Sequence, residues 1–345
     1  MHLKIDGRYM KQGWLIVNEY LDTEKFLEIR KLFLSGAEKK NVKLTVYTNA
    51  DFVVDLSDAV VKSRAFDEGE PEFIIFYDKD ITLARALEKM GYRLYNSADA
   101  ISVCDSKVKT ATRISEYNLN CEGDEAKILM PKTYKVPFTY ENIGIKDSYN
   151  FEFLEFVEKD LGGTCSIGGG TFCNDERGGE CGTEDRTLAC AYPIVIKESN
   201  SSFGMGVHLA GSREEAIRLI CEYGSRECLI QEYMSYSSGI DYRLQMVGDR
   251  CVCAMMRSNE NDFRANITNG GKMSEYKPTD EDLTLARNVM KCLKLDFAGI
   301  DIMHDKDGRA VFLEANSNAH FKNIYDLTGI NAAEKMIEYI VGKAE

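Results

Sequence analysis

The chain has 345 residues, 44% of them hydrophobic, and carries a formal net charge of -13 at pH 7 with a pI near 5.0. A chain of this length can bury two or three substantial cores, so we expect a multidomain globular protein rather than a small peptide-binding module. The acidic balance argues against nucleic acid or an anionic lipid surface as the main partner.

Hydropathy and cysteine usage predict a cytoplasmic protein without membrane partners. No stretch approaches the roughly 20 apolar residues of a membrane span, and the apolar run near the N-terminus is too short for a signal-peptide core. The 11 cysteines are an odd number scattered over a long chain, which suits a reducing compartment better than a disulfide framework.

The first hundred residues alternate strand and helix patterns and predict a parallel sheet built from βαβ units. One helix has Phe26, Ile29, Leu32 and Phe33 at helical spacing, after a cap offered by Asp22 and Thr23. The other predicted elements are strands at Trp14–Val17, Val42–Tyr47 and Phe73–Phe76, a helix at Ile81–Met90 and a strand at Arg93–Tyr95.

Beyond Asp105 the pattern changes to a helix, polar connections and then a Gly- and Cys-rich stretch over residues 162–190, which we interpret as an inserted loop. Strand and hairpin signals follow it. The predicted strands are Tyr192–Lys197, Cys228–Tyr233, Leu244–Val247 with Arg250–Met256, and Ile300–Met303 with Ala310–Glu314. The predicted helices are Glu214–Tyr223, Asp280–Leu293 and one near Ala332–Val341.

The segment GIDIMHDKDGRAVFLEAN allows a register to be worked out from its turn. If Asp307-Gly308 is a two-residue hairpin turn, Lys306 pairs with Arg309 and Asp301 falls directly opposite Glu314. Cross-strand neighbours have Cβ atoms about 5 Å apart, and like charges at that distance are destabilising unless something positive lies between them.

Asn316 points to the same face as Glu314 and adds a neutral oxygen. Carboxylate and amide oxygens without His or Cys suit magnesium, which binds through one or two carboxylates and substrate phosphates. The alternative is a surface hairpin whose acids face water, and the apolar residues 311–313 argue against it.

The segment YPIVIKESNSSFGMGV is an apolar strand ending in Lys197, followed by a loop rich in Ser and Gly. Gly204 and Gly206 allow close approach of the backbone, so the N–H groups of this loop can close over phosphate oxygens. The loop fits neither the Walker nor the Rossmann motif, and an ordinary hairpin is the alternative.

In RSNENDFRANITNGGK, Arg257, Arg264 and Asn266 occupy a polar segment after a strand. Guanidinium groups bind phosphate and carboxylate through two parallel hydrogen bonds, so two arginines beside a metal hairpin suit an acyl-phosphate intermediate. Taken separately, each arginine could be a solvated charge.

These motifs, in this order, resemble the ATP-grasp superfamily and, within it, the RimK-type α-L-glutamate ligases. The resemblance runs from about residue 70 to the C-terminus and includes NENDFRANITNGGK and EANSNAHFKNIYDLTGIN. It implies an α/β and α+β protein with a Rossmann-like pre-ATP-grasp domain followed by a two-subdomain ATP-grasp fold. The implied domains are residues 1–103, a lid subdomain at 104–232 containing the insert at about 162–190, and a catalytic subdomain at 233–345.

The resemblance also implies the residues that bind ATP. Lys107 and Lys197 would contact phosphates, and residues 199–206, including Ser202, Gly204 and Gly206, would form the lid over them. In LIQEYM, Glu232 and Tyr233 would border the adenine, and Asp241 in GIDYR would hold the ribose.

The implied catalytic residues lie in the C-terminal third. Arg264 and Asn266 would face the γ-phosphate, and Arg257 would face the acyl phosphate or the substrate carboxylate. Asp301, Glu314 and Asn316 would hold two Mg²⁺ ions, with Mn²⁺ as a substitute.

The implied reaction is ATP-dependent ligation of a carboxylate to an amine, adding glutamate or another amino acid to a peptide, protein or small metabolite. Modification of a ribosomally made peptide is one alternative, and a nucleotide-binding scaffold without turnover is another. Related ligases are often oligomers, so a homo-oligomer is expected.

The insert departs from the family pattern. Its cysteines, Cys165, Cys173, Cys181 and Cys190, are spaced more widely than in common zinc sites, so we expect a solvent-exposed loop rather than a zinc centre. A role of the insert in gripping a peptide or partner stays open. His208 and His320 lie near the proposed site loops, and we interpret both as structural residues.

Overall fold

The computed structural model describes residues 4–5, 8–9, 11–21, 23–137, 151–162, 191–201, 204–266 and 270–343. The chain divides into two compact units, a larger one from residues 1–129 and 236–345 and a smaller one from residues 130–235. The division into three domains stays a prediction. The predictions for Asp22, Ser202 and the four insert cysteines fall outside the described residues.

The larger unit alternates strands and helices in its first part and then forms long antiparallel strands. Its first elements are β1 (Lys4–Ile5), β2 (Arg8–Tyr9), β3 (Gln12–Val17), α1 (Glu24–Lys39), β4 (Lys43–Thr48), β5 (Val53–Asp55), β6 (Val60–Lys62), α2 (Ala65–Glu68), β7 (Phe73–Tyr77), α3 (Ile81–Lys89), β8 (Leu94–Tyr95), α4 (Ala98–Cys104) and α5 (Lys107–Leu119). Single 3-10 turns lie at Asn49–Asp51, Asp124–Ala126 and Ser235–Ser237.

The predicted parallel sheet is confirmed, with strand order β4-β3-β7-β8. Strands β3 and β7 are covered on both faces, as parallel strands usually are. Trp14 and Ile16 pack toward α3 and α4, while Leu15 and Val17 pack into a second cluster with α1. The sequence patterns did not reveal the small β5–β6 hairpin or α2, because these elements are too short to show a period.

In its described residues, the smaller unit contains one antiparallel sheet of order β11-β10-β12-β9 and two helices. Its elements are β9 (Thr133–Lys135), α6 (Glu152–Gly162), β10 (Ile194–Glu198), β11 (Val207–Ala210), α7 (Arg213–Tyr223) and β12 (Cys228–Glu232). Leu154, Ile194, Ile196, Leu219 and Ile230 form the centre of its core. No helix in the described part of the chain is long and apolar enough to cross a membrane.

The last part of the larger unit forms a five-stranded antiparallel sheet of order β15-β14-β13-β16-β17. Its elements are β13 (Ile240–Val247), β14 (Arg250–Ser258), β15 (Lys272–Glu275), α8 (Asp280–Leu293), β16 (Phe297–His304), β17 (Ala310–Asn316), α9 (Lys322–Thr328) and α10 (Ala332–Lys343). The predicted turn at Gly248-Asp249 is confirmed by the pairing of Val247 with Arg250.

One hydrophobic core joins the parallel and antiparallel sheets of the larger unit. Leu15 and Ile75 of the parallel sheet share a cluster with Met255 and Phe297 of the antiparallel sheet and with Phe321. Because a core is held by contacts and not by chain order, residues nearly 300 positions apart fold as one unit.

Gly299 on β16 lets the segment that follows β17 cross close over the sheet. A Cβ on Gly299 would lie 2.7 Å from the Cβ of Ala319, well inside van der Waals contact. We expect Gly299→Ala to lower the free energy of unfolding by about 1–3 kcal/mol, because the segment must shift. Gly342→Ala in α10 is the control: its added Cβ meets nothing within 4 Å.

Urea unfolding of the two variants checks this prediction. The Gly342 variant should match the wild type or gain up to about 1 kcal/mol, since alanine favours a helix interior. Equal stability of the Gly299 variant and the wild type would contradict the close crossing.

Candidate active site

The β16–β17 hairpin places Asp301 directly opposite Glu314, as predicted. The predicted turn, however, is wrong. Asp305 lies opposite Arg309, with the Asp305 N–H donating to the Arg309 carbonyl at 3.0 Å, so three residues form the loop instead of two. A β-bulge then restores the predicted register: Ile302 pairs with Phe312, whereas Asp301 pairs with Glu314, leaving Leu313 as the extra residue.

Asp301 is held by Arg243 on the adjacent strand β13 and by Arg257 on β14, the strand beyond it. Its carboxylate accepts from Arg243 Nε and Nη2 at 2.7 and 2.6 Å and from Arg257 Nη2 at 2.9 Å. The residue is 2% exposed. Burial alone would raise the pKa of Asp301, but the two guanidinium groups outweigh it and hold this pKa below its ordinary value.

Arg257 continues the chain of charges to Asp241. Its Nε and Nη2 donate to the two oxygens of Asp241 at 2.5 and 2.8 Å, and both residues are buried. Asp241, predicted to hold a ribose, therefore has its carboxylate occupied by a bidentate ion pair inside the sheet. Arg257, predicted to face the acyl phosphate, links two buried aspartates.

The sequence reasoning missed Arg243. A signal was present, since Asp241 and Arg243 alternate along a strand and so share one face of the sheet. The pairing of β13 with β16 sets Arg243 directly opposite Asp301. Its side chain is 13% exposed, so it lies closer to the surface of the site than Arg257, whose side chain is 6% exposed.

Glu314 is the more accessible acid of the hairpin, and Lys107 lies beside it. Lys107 Nζ is 3.6 Å from Glu314 Oε1, and the Glu314 side chain is 33% exposed. Lys107 is the first residue of α5, whose cap Ser106 accepts from the Lys109 N–H. The tertiary fold thus brings the first predicted phosphate-binding lysine to a predicted metal ligand 207 positions further along the chain.

Asn316 completes the oxygen-rich edge of the hairpin. Its Nδ2 is buried and has no hydrogen-bond partner among the described residues. Two carboxylates and an amide, with no sulfur or imidazole, form a donor set suited to Mg²⁺, which keeps waters and takes its remaining ligands from phosphate. Glu314 and Asn316 therefore fit the predicted metal, whereas both oxygens of Asp301 accept from arginines here, so its role as a metal ligand stays a prediction.

Arg264 and Asn266 lie in the loop between β14 and β15. Arg264 forms an ion pair with Asp262, its Nη2 lying 2.7 Å from Oδ2, and its guanidinium is near the ring of Phe263. The carbonyl of Asn266 accepts from the Gly271 N–H at 3.4 Å. No contact of either residue tests the predicted role at the γ-phosphate, which stays a prediction.

In the smaller unit, the strand that carries Lys197 is followed by the predicted loop, of which residues 199–201 and 204–206 are described. Lys197 is 8% exposed on the central strand β10. Gly204 has a φ of 73°, and a Cβ on Gly206 would lie 2.6 Å from the Cβ of Ser201. The Gly206 carbonyl accepts from the Glu198 N–H at 2.7 Å, which closes the loop.

Glu232 is the last residue of β12, and Tyr233 follows it directly. Glu232 Oε2 accepts from the Lys132 N–H at 3.2 Å, and the Glu232 N–H donates to the Lys132 carbonyl at 2.8 Å. These bonds fix the backbone beside the predicted adenine position. The contacts to adenine remain a prediction.

Comparisons with known proteins agree with this architecture. Residues 185–340 match the family model described as the RimK-like ATP-grasp domain. A probable alpha-L-glutamate ligase of Legionella pneumophila is 35% identical over 156 residues, which cover 44% of this chain and 51% of that protein. The chain therefore spans about half the length of this curated relative.

Two solved structures match nearly the whole chain. The D-alanine–D-alanine ligase of Bacillus anthracis, complexed with ATP, has a TM-score of 0.62 at 13% identity and covers 96% of both chains. ATP-grasp ligase PsnB, complexed with a minimal precursor, Mg and ADP, has a TM-score of 0.62 at 12% identity and covers 97% of both chains.

The chain has the fold of the ATP-grasp ligases, so the predicted α/β and α+β class is confirmed. Within that class, residues 185–340 form a RimK-like ATP-grasp domain, which confirms the resemblance read from the motifs.

Proposed function

We propose that this protein is an ATP-dependent carboxylate–amine ligase that forms an amide through an acyl phosphate. A substrate carboxylate attacks the γ-phosphate of ATP and releases ADP. An amine then attacks the acyl carbonyl, the bond to phosphate breaks, and the amide remains. Glutamate or another amino acid is the proposed addition to a peptide, protein or small metabolite.

The observation that carries the proposal is the hairpin, where Asp301 and Glu314 face each other beside Asn316 and Lys107. Asp301, Glu314 and Asn316 would hold two Mg²⁺ ions, with Mn²⁺ as a substitute, and bound metal would neutralise phosphate charge. Phosphoryl transfer depends mainly on positioning and charge neutralisation, so the site needs no proton-transfer residue.

The arginines have distinct proposed roles. Arg257 would position Asp301, because its Nε donates to Asp241 and its Nη2 donates to Asp301. Arg243 holds Asp301 and lies nearer the surface, so it is the better candidate for contact with the acyl phosphate or the substrate carboxylate. Arg264 and Asn266 would face the γ-phosphate.

The smaller unit would bind the rest of the nucleotide. Lys197 and the loop of residues 199–206 would contact the phosphates, and Glu232 and Tyr233 would border the adenine. The likeness to the solved D-alanine–D-alanine ligase with ATP supports a nucleotide in this fold. For Asp241, buried against Arg257, we propose support of the arginine in place of the ribose contact.

A ligase that modifies a ribosomally made peptide is the second candidate, supported by the likeness to PsnB with its minimal precursor. A scaffold without turnover is disfavoured, because a site that no longer works would be expected to have lost some of its lysines, arginines or acids.

Phosphate release with ATP and Mg²⁺ across a panel of amino acids and peptides, followed by mass spectrometry of the products, tests the proposal. We expect release that requires both an acid and an amine; ATP hydrolysis indifferent to both would contradict it.

A further inference from the structure

The carboxyl ends of β3 and β7 carry two polar residues that no role above uses. Asn18 and Asp78 directly follow these neighbouring parallel strands, and Asn18 Nδ2 donates to Asp78 Oδ1 at 3.0 Å. The Lys79 N–H donates to the same oxygen at 2.6 Å. In open parallel sheets, ligands bind outside this end of the strands.

The second oxygen of Asp78 has no donor within the described ranges of the chain. Asp78 is 5% exposed, and its Oδ2 is buried without a hydrogen-bond partner among the described residues. An unpaired buried carboxylate oxygen is strongly unfavourable, so buried acids normally have their donors supplied. Burial raises the pKa of Asp78 accordingly.

The segment after β17 brings a second unpaired acceptor to the same place. Asn318 Nδ2 donates to the Asp78 carbonyl at 2.8 Å, while Asn318 Oδ1 is buried and lacks a partner in the described part of the chain. The Tyr77 hydroxyl donates to the Ala319 carbonyl and fixes the segment there. Gly299 makes this approach sterically possible.

The ring of His320, two residues beyond Asn318, carries no positive charge of its own. Burial, with help from Lys25 and Arg243, lowers the pKa of His320 to about 4, so its ring is neutral at physiological pH. Asn318 is also only two residues beyond Asn316, and two residues span at most about 7 Å. The Cα atoms of Asn318 and of the predicted metal ligand Asn316 are therefore at most about 7 Å apart.

The unpaired oxygens select the kind of ligand. A carboxylate repels anions, and a hard metal ion would need about six oxygens, more than this pair offers. An ammonium carries one positive charge and three donors, which matches one ionised and one neutral acceptor. We propose that Asp78 and Asn318 form the subsite for the ammonium group of an amino-acid substrate. This assignment rests on the ligase function proposed above and names one of its substrates by class.

The test compares an amino acid with the same molecule lacking its amino group. The twenty L-amino acids are first screened by calorimetry in the presence of Mg²⁺ and a non-hydrolysable ATP analogue. The best binder is then compared with its des-amino analogue, for example L-glutamate with glutarate, in wild type and Asp78→Asn. We expect the substitution to weaken amino-acid binding about 10- to 100-fold and to leave the des-amino analogue within about twofold.

Two further variants are measured in the same way. Asn318→Ala should weaken amino-acid binding by a smaller factor than Asp78→Asn, because it removes a neutral acceptor. Glu19→Gln replaces an exposed acid on the same loop as Asn18 and should leave the binding of both ligands unchanged. Thermal melting establishes that each variant is folded.

The outcomes separate the two proposals. Unchanged amino-acid affinity in Asp78→Asn, or no binding of any amino acid, overturns the subsite and indicates that water satisfies Asp78. Amino-acid binding that depends on Asp78, without acid- and amine-dependent phosphate release, overturns the ligase function and leaves the ammonium subsite standing.

Discussion

Replacing Glu314 by alanine should lower ATP-dependent phosphate release by at least about a thousandfold while the protein stays folded. A bound metal contributes several kcal/mol to the stabilisation of transition-state charge, and each 1.36 kcal/mol is a factor of about ten in rate. Stability should hardly change, because the Glu314 side chain is 33% exposed and the Nζ atom of its partner Lys107 lies 3.6 Å away. Partly exposed pairs of this kind contribute at most about 1 kcal/mol.

Asp307→Ala is the matched control for this prediction. Asp307 belongs to the same hairpin, but its side chain is 59% exposed in the loop. Its removal should leave phosphate release and the melting temperature close to those of the wild type. Near-normal turnover in the Glu314 variant would eliminate the metal assignment, whatever the behaviour of the control.

Replacing Arg257 by methionine should lower the free energy of unfolding by about 3–5 kcal/mol. The substitution removes both hydrogen bonds that Arg257 makes to Asp241 and one that it makes to Asp301. Asp301 retains Arg243, whereas Asp241, at 5% exposure, would be left as a buried charge without that guanidinium. Such a loss is a large fraction of the roughly 5–15 kcal/mol by which proteins are stable.

Arg218→Met on α7 is the control, because Arg218 pairs with Glu222 at 2.6 Å on the surface with a 57% exposed side chain. Arg218→Met should lower the free energy of unfolding by less than about 1 kcal/mol. The double variant Arg257→Met with Asp241→Leu should recover part of the loss, because it removes the unpaired charge together with its partner. Urea unfolding of the set measures these differences, and a loss below 1 kcal/mol in Arg257→Met alone would contradict the buried charge chain.

Local sequence patterns predicted the secondary structure well where a period could build up. The buried strands Trp14–Val17 and Phe73–Phe76 lie within β3 and β7, and the predicted helix Asp280–Leu293 is α8. These elements are predictable because burial on one or both faces imposes a regular spacing of apolar residues. The short β5–β6 hairpin and α2 offered no such spacing.

The acid pair shows both the reach and the limit of local reasoning. Asp301 lies opposite Glu314 as the turn rule indicated, yet the turn has one more loop residue than expected, and a bulge at Leu313 offsets it. A bulge depends on what packs against the strand, so no local pattern announced it.

By itself the sequence determined the parallel sheet and the facing acids, because both follow from the spacing of residues, while the resemblance of its motifs to a known family indicated the class of fold. Only the tertiary structure decided which charges meet. It buried Asp241 and Arg257 together, added Arg243 to Asp301, brought Lys107 to Glu314 and set Asn318 beside Asp78. Those contacts join residues that are far apart along the chain or on different strands, and shared burial in folded layers brings them together.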